Sequence, residues 1–297
     1  MDRRNFLQLL GAGTTWIGSS AWAADAKAST QKKKRAPTPQ GMGVLVDTTL
    51  CEGCQSCEEA CAEANGLPAP EMEEDTLTQA RNTSTTQWSV INRHKTSRGE
   101  VFAKRQCMHC LQPACASACL TKAMLKTKEG PVVWNEAQCM GCRFCMVSCP
   151  FDVPKFEYDS PLPRIQKCRL CWERLKKGQK PACVEECPNE ALVFGERRLL
   201  LEEARRRIYT QPKKYVSHIY GEHEVGGTSW LYLSAVPFEE LGFRMDLGTI
   251  PYPVYTKEFL YAVPVVLTLW PAFLIALRRA TLQERGNEDE GKVGESR

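Results

Sequence analysis

The chain has 297 residues, 43% of them hydrophobic, with 39 basic against 35 acidic side chains and a formal net charge of +4. That length allows one or two globular domains, and a charge balance this even, with no basic stretch interleaved with stacking aromatics, argues against a nucleic-acid partner. No nucleophile with an adjacent base and no phosphate-cradling glycine loop supports independent catalysis.

Residues 1–23 read as an export signal: Arg3 and Arg4, then a mildly apolar uncharged stretch from Asn5, then Ala21-Trp22-Ala23 as a small-residue cleavage site. The arginine pair followed by Asn5-Phe6-Leu7 resembles a twin-arginine signal, and Gly11, Gly13, Thr14 and Thr15 keep the stretch less apolar than a general secretory signal. It is also too short and too polar to span a bilayer. Residues 24–41 are a Lys-, Ala-, Thr- and Pro-rich linker, in which Lys32 to Arg35 form a solvated cluster.

The body follows as residues 42–196. Val44-Leu45-Val46 is a predicted strand leading into the first cysteine run, Cys51, Cys54, Cys57 and Cys61. Residues 62–106 form an insertion, a polar Glu- and Thr-rich loop and then predicted strands at Trp88–Ile91 and Val101–Ala103. The second run is Cys107, Cys110, Cys115 and Cys119; a strand at Val132–Trp134 then leads into the third, Cys139, Cys142, Cys145 and Cys149. The fourth run, Cys168, Cys171, Cys183 and Cys187, closes on a strand at Ala191–Phe194. Strand, cysteine run and helix alternate as in bacterial ferredoxins, twice over, which makes the fold class α+β.

All sixteen cysteines lie in these runs. The first and third read C-x2-C-x2-C-x3-C, the spacing in which three thiolates wrap one iron-sulfur cubane and the fourth reaches a neighbouring cluster. A disulfide scaffold is small and has no reason to repeat that spacing. Zinc needs only two C-x2-C pairs and leaves the remaining cysteines of each run unexplained. Covalent haem needs His directly after a C-x2-C pair, where this chain has Gln55, Leu111, Arg143 and Trp172. Four thiolates per cubane divide sixteen into four [4Fe-4S] clusters with none left over, which implies an electron carrier. Ligation then supplies much of the folding free energy. The twin-arginine route suits such a protein, because thiols stay free for cluster assembly in the reducing cytosol and the folded product is exported.

With every thiolate assigned, His94, His109, His218 and His223 read as polar or packing residues, whereas Arg143, Lys167 and Arg169 sit beside ligands where charge affects potential. Residues 197–258 form an arm for partner contact. Phe259–Leu277 is nineteen residues without a charge, long enough for a transmembrane helix; Pro264 and Pro271 are tolerated in such helices, and Tyr252, Tyr255 and Tyr261 suit the outer interface. Arg278 and Arg279 follow and hold the tail, residues 278–297, in the cytoplasm by the positive-inside rule. The expected location is the inner membrane, single-pass, with the cluster domain in the periplasm.

The runs must be paired, and spacing alone leaves both two-with-three and one-with-two open. Cys168-Arg-Leu-Cys171-Trp-Glu-Arg-Leu followed by Pro181-Ala-Cys183-Val-Glu-Glu-Cys187-Pro resembles the last run of the four-cluster subunit of molybdopterin oxidoreductases and certain membrane hydrogenases. That resemblance implies two ferredoxin-like modules in nested arrangement, the inner one covering about residues 104–158. It implies one cubane on Cys51, Cys54, Cys57 and Cys187 and a second on Cys61, Cys168, Cys171 and Cys183. The inner module implies a third on Cys107, Cys110, Cys115 and Cys149 and a fourth on Cys119, Cys139, Cys142 and Cys145. Gln106-Cys-Met-His-Cys110, Gly141-Cys-Arg-Phe-Cys-Met-Val-Ser-Cys149-Pro-Phe-Asp-Val-Pro-Lys155, His218-Ile-Tyr-Gly-Glu222 and Gly226-Gly227-Thr228, with the signal and the single span, look most like the periplasmic iron-sulfur subunit of hydrogenase-2-type [NiFe] hydrogenases. The resemblance implies a catalytic subunit near the Cys51 cluster and a quinone-linked membrane subunit near the Cys119 cluster. A molybdenum enzyme of polysulfide, nitrite or formate type, or no fixed partner at all, are the alternatives. Ala62 after run one and Leu120 after run two depart from the usual cysteine-proline ending.

Overall fold

The computed structural model describes residues 41–72 and 74–294. The expected export signal lies outside these residues.

Residues 39–257 form one compact unit. Its centre is strand β1, Met42–Asp47, which pairs antiparallel with β8, Leu192–Glu196, and parallel with β9, Trp230–Leu233. Val44, Leu45 and Val46 are all buried, because alternate side chains of a central strand meet different cores on its two faces. Leu45 packs with Leu231 and Leu233 under Leu200, Leu201 and Ala204 of helix α2, Arg197–Thr210. Val44 and Val46 pack on the opposite face with Trp230, Tyr232, Cys57 and Cys183, so the sheet separates a helix layer from a cysteine layer.

The predicted strands within the insertion extend into a hairpin of β2, Ser89–Thr96, and β3, Gly99–Gln106, in register from Ser89 opposite Gln106 to Thr96 opposite Gly99. Helix α1, Ser56–Asn65, carries the end of run one, and Glu58 ties it to the hairpin: its carboxylate accepts the Ile91 N–H at 2.6 Å and pairs with Arg81 at 2.6 Å. Two small hairpins complete the unit. β4, Met124–Lys126, pairs with β5, Val132–Trp134, between runs two and three; β6, Lys155–Phe156, pairs with β7, Ile165–Gln166, between runs three and four.

The segment expected to serve as a partner arm contributes much of this core. β9 is a full member of the sheet, and Arg197, 2% exposed, donates to the carbonyls of Thr228 at 2.6 Å, Gly221 at 3.1 Å and Glu222 at 2.9 Å.

From Glu258 the chain belongs to a second unit. It lies in helix α3, Tyr252–Gly294, which runs through both Pro264 and Pro271. The stretch Tyr252–Leu282 is long and apolar enough to cross a membrane by length and composition, and its apolar window is not buried.

Candidate metal centres

Each cysteine run opens on the same backbone turn. The residue before the second cysteine has positive φ in all four: Gly53 at 75°, His109 at 47°, Gly141 at 71° and Leu170 at 52°. The left-handed residue curls the chain so that a backbone N–H reaches back toward the first sulfur, as Leu170 N does to Cys168 Sγ at 3.3 Å. His109 and Leu170 carry a Cβ, and each holds this conformation at a cost of about 1–2 kcal/mol. Runs two, three and four also end alike. Lys122, Asp152 and Glu190, each three residues past the last cysteine, have positive φ and donate to the carbonyls of Cys119 at 3.2 Å, Cys149 at 3.3 Å and Cys187 at 3.2 Å. Leu120 therefore makes the turn that Pro150 and Pro188 make, and the missing proline changes nothing there. Run one differs: Cys61 stays inside α1, which continues to Asn65 and stops on Gly66 in the left-handed conformation.

All sixteen cysteines are free thiols, and twelve of them line three voids. Cys51, Cys54, Cys57 and Cys187 line one cavity, with Gln55 and Lys104. Cys61, Cys168, Cys171 and Cys183 line a second, with Trp88, Lys104 and Trp230. Cys107, Cys110, Cys115 and Cys149 line a third, with Val132 and Lys167. Cys119, Cys139 and Cys145 pack around Met124, Val132 and Ile165, and Cys142 lies close enough to act electrostatically on Cys145. These cages adjoin one another in series. Cys57 and Cys61 share the field of Lys104; Cys61, Cys168 and Cys107 share one apolar cluster with Trp88 and Val153; Cys115 and Cys145 share the next.

Burial is the dominant electrostatic effect on these thiols. It pushes Cys51 and Cys149 up to about 11 and Cys115 up to about 12, so as free side chains they stay protonated at neutral pH. Cys119, the most open of those shifted, goes the other way: burial raises it, but several hydrogen-bond donors together outweigh burial and lower it, among them Met124 N at 3.4 Å and the Thr121 hydroxyl. Two buried lysines, Lys104 and Lys167, and the half-buried Lys126 stand among the cages. Lys104, 2% exposed, donates from Nζ to Cys57 Sγ at 3.3 Å. Burial opposes its charge, and Cys57, Cys183, Cys61 and Glu58 more than reverse that effect. Lys167 donates to the carbonyls of Val132 and Cys168, and Lys126 donates to the His109 carbonyl at 3.0 Å, with burial holding Lys126 down at about 8.

The cages fit iron-sulfur cubanes. Three of them are each lined by a set of four cysteines, and four thiolates are what one cubane takes. The indole N–H groups of Trp88 and Trp230, both in the wall of the second cage, are buried without a partner, donors of the kind that sulfide accepts.

Of the sequence candidates, Lys167 is buried at the third cage, whereas Arg143 stacks over Phe156 and Tyr158 and Arg169 over Trp88. Lys104 escaped the sequence reading; a lysine inside the strand Gly99–Gln106 was its only signal. His109 is a buried packing residue, held neutral by burial and by Lys167 and Lys126, its Nδ1 accepting Val132 N–H at 2.8 Å. His218 pairs with Glu224 at 2.7 Å. A cavity of about 120 Å³ beside His94, Tyr220 and Arg244 contains no cysteine and is small against the ~300 Å³ of ordinary ligand sites.

Four adjoining cysteine cages on short strands and turns define a ferredoxin-like iron-sulfur electron carrier. The 4Fe-4S dicluster domain family matches residues 99–197. A protein of Nitratidesulfovibrio vulgaris is 48% identical over 285 residues, 92% of this chain and 75% of that one. The hydrogenase-2 operon protein HybA of Escherichia coli O157:H7 is 37% identical, over 97% of this chain and 99% of its own length. The iron-sulfur subunit of the nitrate-inducible formate dehydrogenase of Escherichia coli is 32% identical over 64% of this chain and 66% of its own. The chain belongs to the HybA-like family of iron-sulfur electron-transfer subunits, non-catalytic carriers, and its sixteen cysteines suit four [4Fe-4S] clusters.

Proposed function

We propose that the chain passes electrons through four cubanes in series, between a catalytic subunit at the Cys54 end and a quinone-linked membrane subunit at the Cys142 end. The ligand sets are Cys51, Cys54, Cys57 and Cys187; Cys61, Cys168, Cys171 and Cys183; Cys107, Cys110, Cys115 and Cys149; and Cys119, Cys139, Cys142 and Cys145. The cavity walls support the first three and electrostatic proximity the last. Strand pairing supports the nested arrangement, since β1 before run one pairs with β8 after run four, and β4 after run two pairs with β5 before run three.

One observation marks the two ends of the wire. Cys54 and Cys142 are the two exposed cysteines, and they belong to the first and last cages of the series. Exposed apolar side chains flank the cysteines of this last cage in the chain: Leu120, Met140, Phe144 and Val147 are 84%, 64%, 53% and 81% exposed. Such side chains suit a hydrophobic partner. The helix at Tyr252–Leu282 anchors the complex, with the cluster domain on the periplasmic side.

The catalytic partner is a [NiFe] hydrogenase of hydrogenase-2 type, because the HybA resemblance runs over 97% of the chain whereas the formate dehydrogenase subunit covers 64%. Mass spectrometry of subunits co-purified anaerobically from detergent-solubilised membranes tests this. A nickel-iron large subunit and an integral membrane subunit are expected; a molybdopterin subunit, or none, overturns it.

A further inference from the structure

Among the described residues, Lys104 is the one buried cation that stands in the walls of two of these cages at once, those of Cys51–Cys187 and Cys61–Cys183. It projects from β3 opposite Ile91, at the point where the hairpin covers α1. Its Nζ donates to Cys57 Sγ at 3.3 Å, and Cys57 precedes Cys61 by one helical turn on α1, so a single ammonium faces the ligands that α1 sends to both cages. Glu58, the nearby anion, is already taken by Arg81 and the Ile91 N–H. Lys126 and Lys167, by contrast, donate to main-chain carbonyls, and Lys126 also reaches Ser229 Oγ; neither has a donor on a sulfur.

We propose that Lys104 is a shared tuning residue of the two outer clusters, raising the reduction potential of both while leaving the inner two unchanged. Each cubane takes up one electron on reduction, which adds negative charge inside a buried cage; a fixed cation and an N–H donor to a ligand sulfur stabilise that added charge. Because one side chain serves both cages, their potentials move together, and the step between the first and second clusters changes less than either potential. This inference rests on the ligand sets proposed above.

The test is an anaerobic redox titration of the complex, followed by electron paramagnetic resonance, on wild type and on Lys104→Met, Lys104→Gln and Lys104→Arg, each with iron content measured first. In Lys104→Met two of the four clusters become harder to reduce by about tenfold, equivalent to about 59 mV for one electron, and two stay at wild-type potential. Lys104→Gln keeps a donor without the charge and falls between; Lys104→Arg keeps the wild-type values. A shift in only one cluster, in all four, or in none, at full iron content, overturns the shared role. If both neutral variants lose iron while Lys104→Arg retains it, Lys104 is needed to build the cages and the tuning role is overturned. A wild type without four cubanes defeats the ligand assignment itself, which separates that failure from this one.

Discussion

Cys54 and Cys142 hold the same position in two copies of one motif, each preceded by a glycine with positive φ, and they are the two exposed thiols of the sixteen. In the proposed ligand sets they belong to the first and last cages of the series, while Cys61 and Cys107, of the two cages between, pack in one cluster with Trp88 and Val153. A relay needs this arrangement, with contact to partners at the ends and exclusion of water and oxidants between them.

Replacing Cys142 with Ser tests the exit. The assembled complex is expected to lose most quinone-linked turnover while dye reduction at the catalytic subunit stays near wild type. Cys54→Ser is expected to slow both electron entry and quinone reduction. Assembly is checked first by iron content and co-purification, since lost ligation unfolds metal-dependent domains. Normal quinone reduction by assembled Cys142→Ser complex excludes its cluster from the path.

Gly53 and Gly141 separate strain from crowding. Both have positive φ, but a Cβ on Gly53 comes within 2.5 Å of the Phe102 ring, whereas one on Gly141 meets nothing within 4 Å. Gly141→Ala is expected to cost about 1–2 kcal/mol of conformational strain and keep a full iron complement. Gly53→Ala carries the same strain plus the clash with Phe102, and is expected to lose about a quarter of its iron as the first cage opens. Thermal denaturation and iron analysis under anaerobic conditions measure both; equal behaviour of the two variants contradicts the structure at Phe102.

The cysteine runs, the ferredoxin-like alternation and the strands at Val44, Val132 and Ala191 were legible because ligand spacing and short apolar runs are local signals. A glycine stands before the second cysteine at Gly53 and Gly141, a local signal of the turn there that the sequence reading did not use. Their counterparts were hidden, because His109 and Leu170 adopt positive φ only under the constraint of the surrounding cage. Lys104 was hidden by distance in the chain, 47 residues from Cys57. The motifs from Tyr215 to Leu241 looked like material for a partner, yet Tyr220, Thr228 and Trp230 are buried in the protein's own sheet and turns. Those residues therefore do not separate a fixed subunit from a free carrier, and only co-purification does.

Iron removal is expected to unfold the cluster domain. Residues 39–257 place Cys57, Cys61, Cys107, Cys115, Cys145, Cys168 and Cys183 inside the core, where burial of these groups depends on cluster ligation. Anaerobic wild type should contain about sixteen iron and sixteen sulfide per chain, from four cubanes of four each. Chelation under oxidising conditions should then abolish the visible absorbance and the cooperative thermal transition together. A stable content near twelve iron contradicts four intact cubanes, and a cooperative transition that survives full iron loss contradicts ligation as a main source of stability.

Export and topology can be tested together. Substituting Lys for both Arg3 and Arg4 preserves the charge and removes the pair that the twin-arginine pathway reads, so a folded, cluster-loaded precursor is expected to accumulate in the cytoplasm. In wild-type spheroplasts, protease added outside should cut residues before Phe259 and spare an epitope placed after Arg279, because Arg278 and Arg279 hold that end inside. Unchanged export of the double-lysine variant shows that the general secretory route carries the chain, and with it the argument for cluster assembly before export fails. Digestion of the tail epitope in intact spheroplasts reverses the orientation and moves the Cys142 end of the wire to the other side of the membrane.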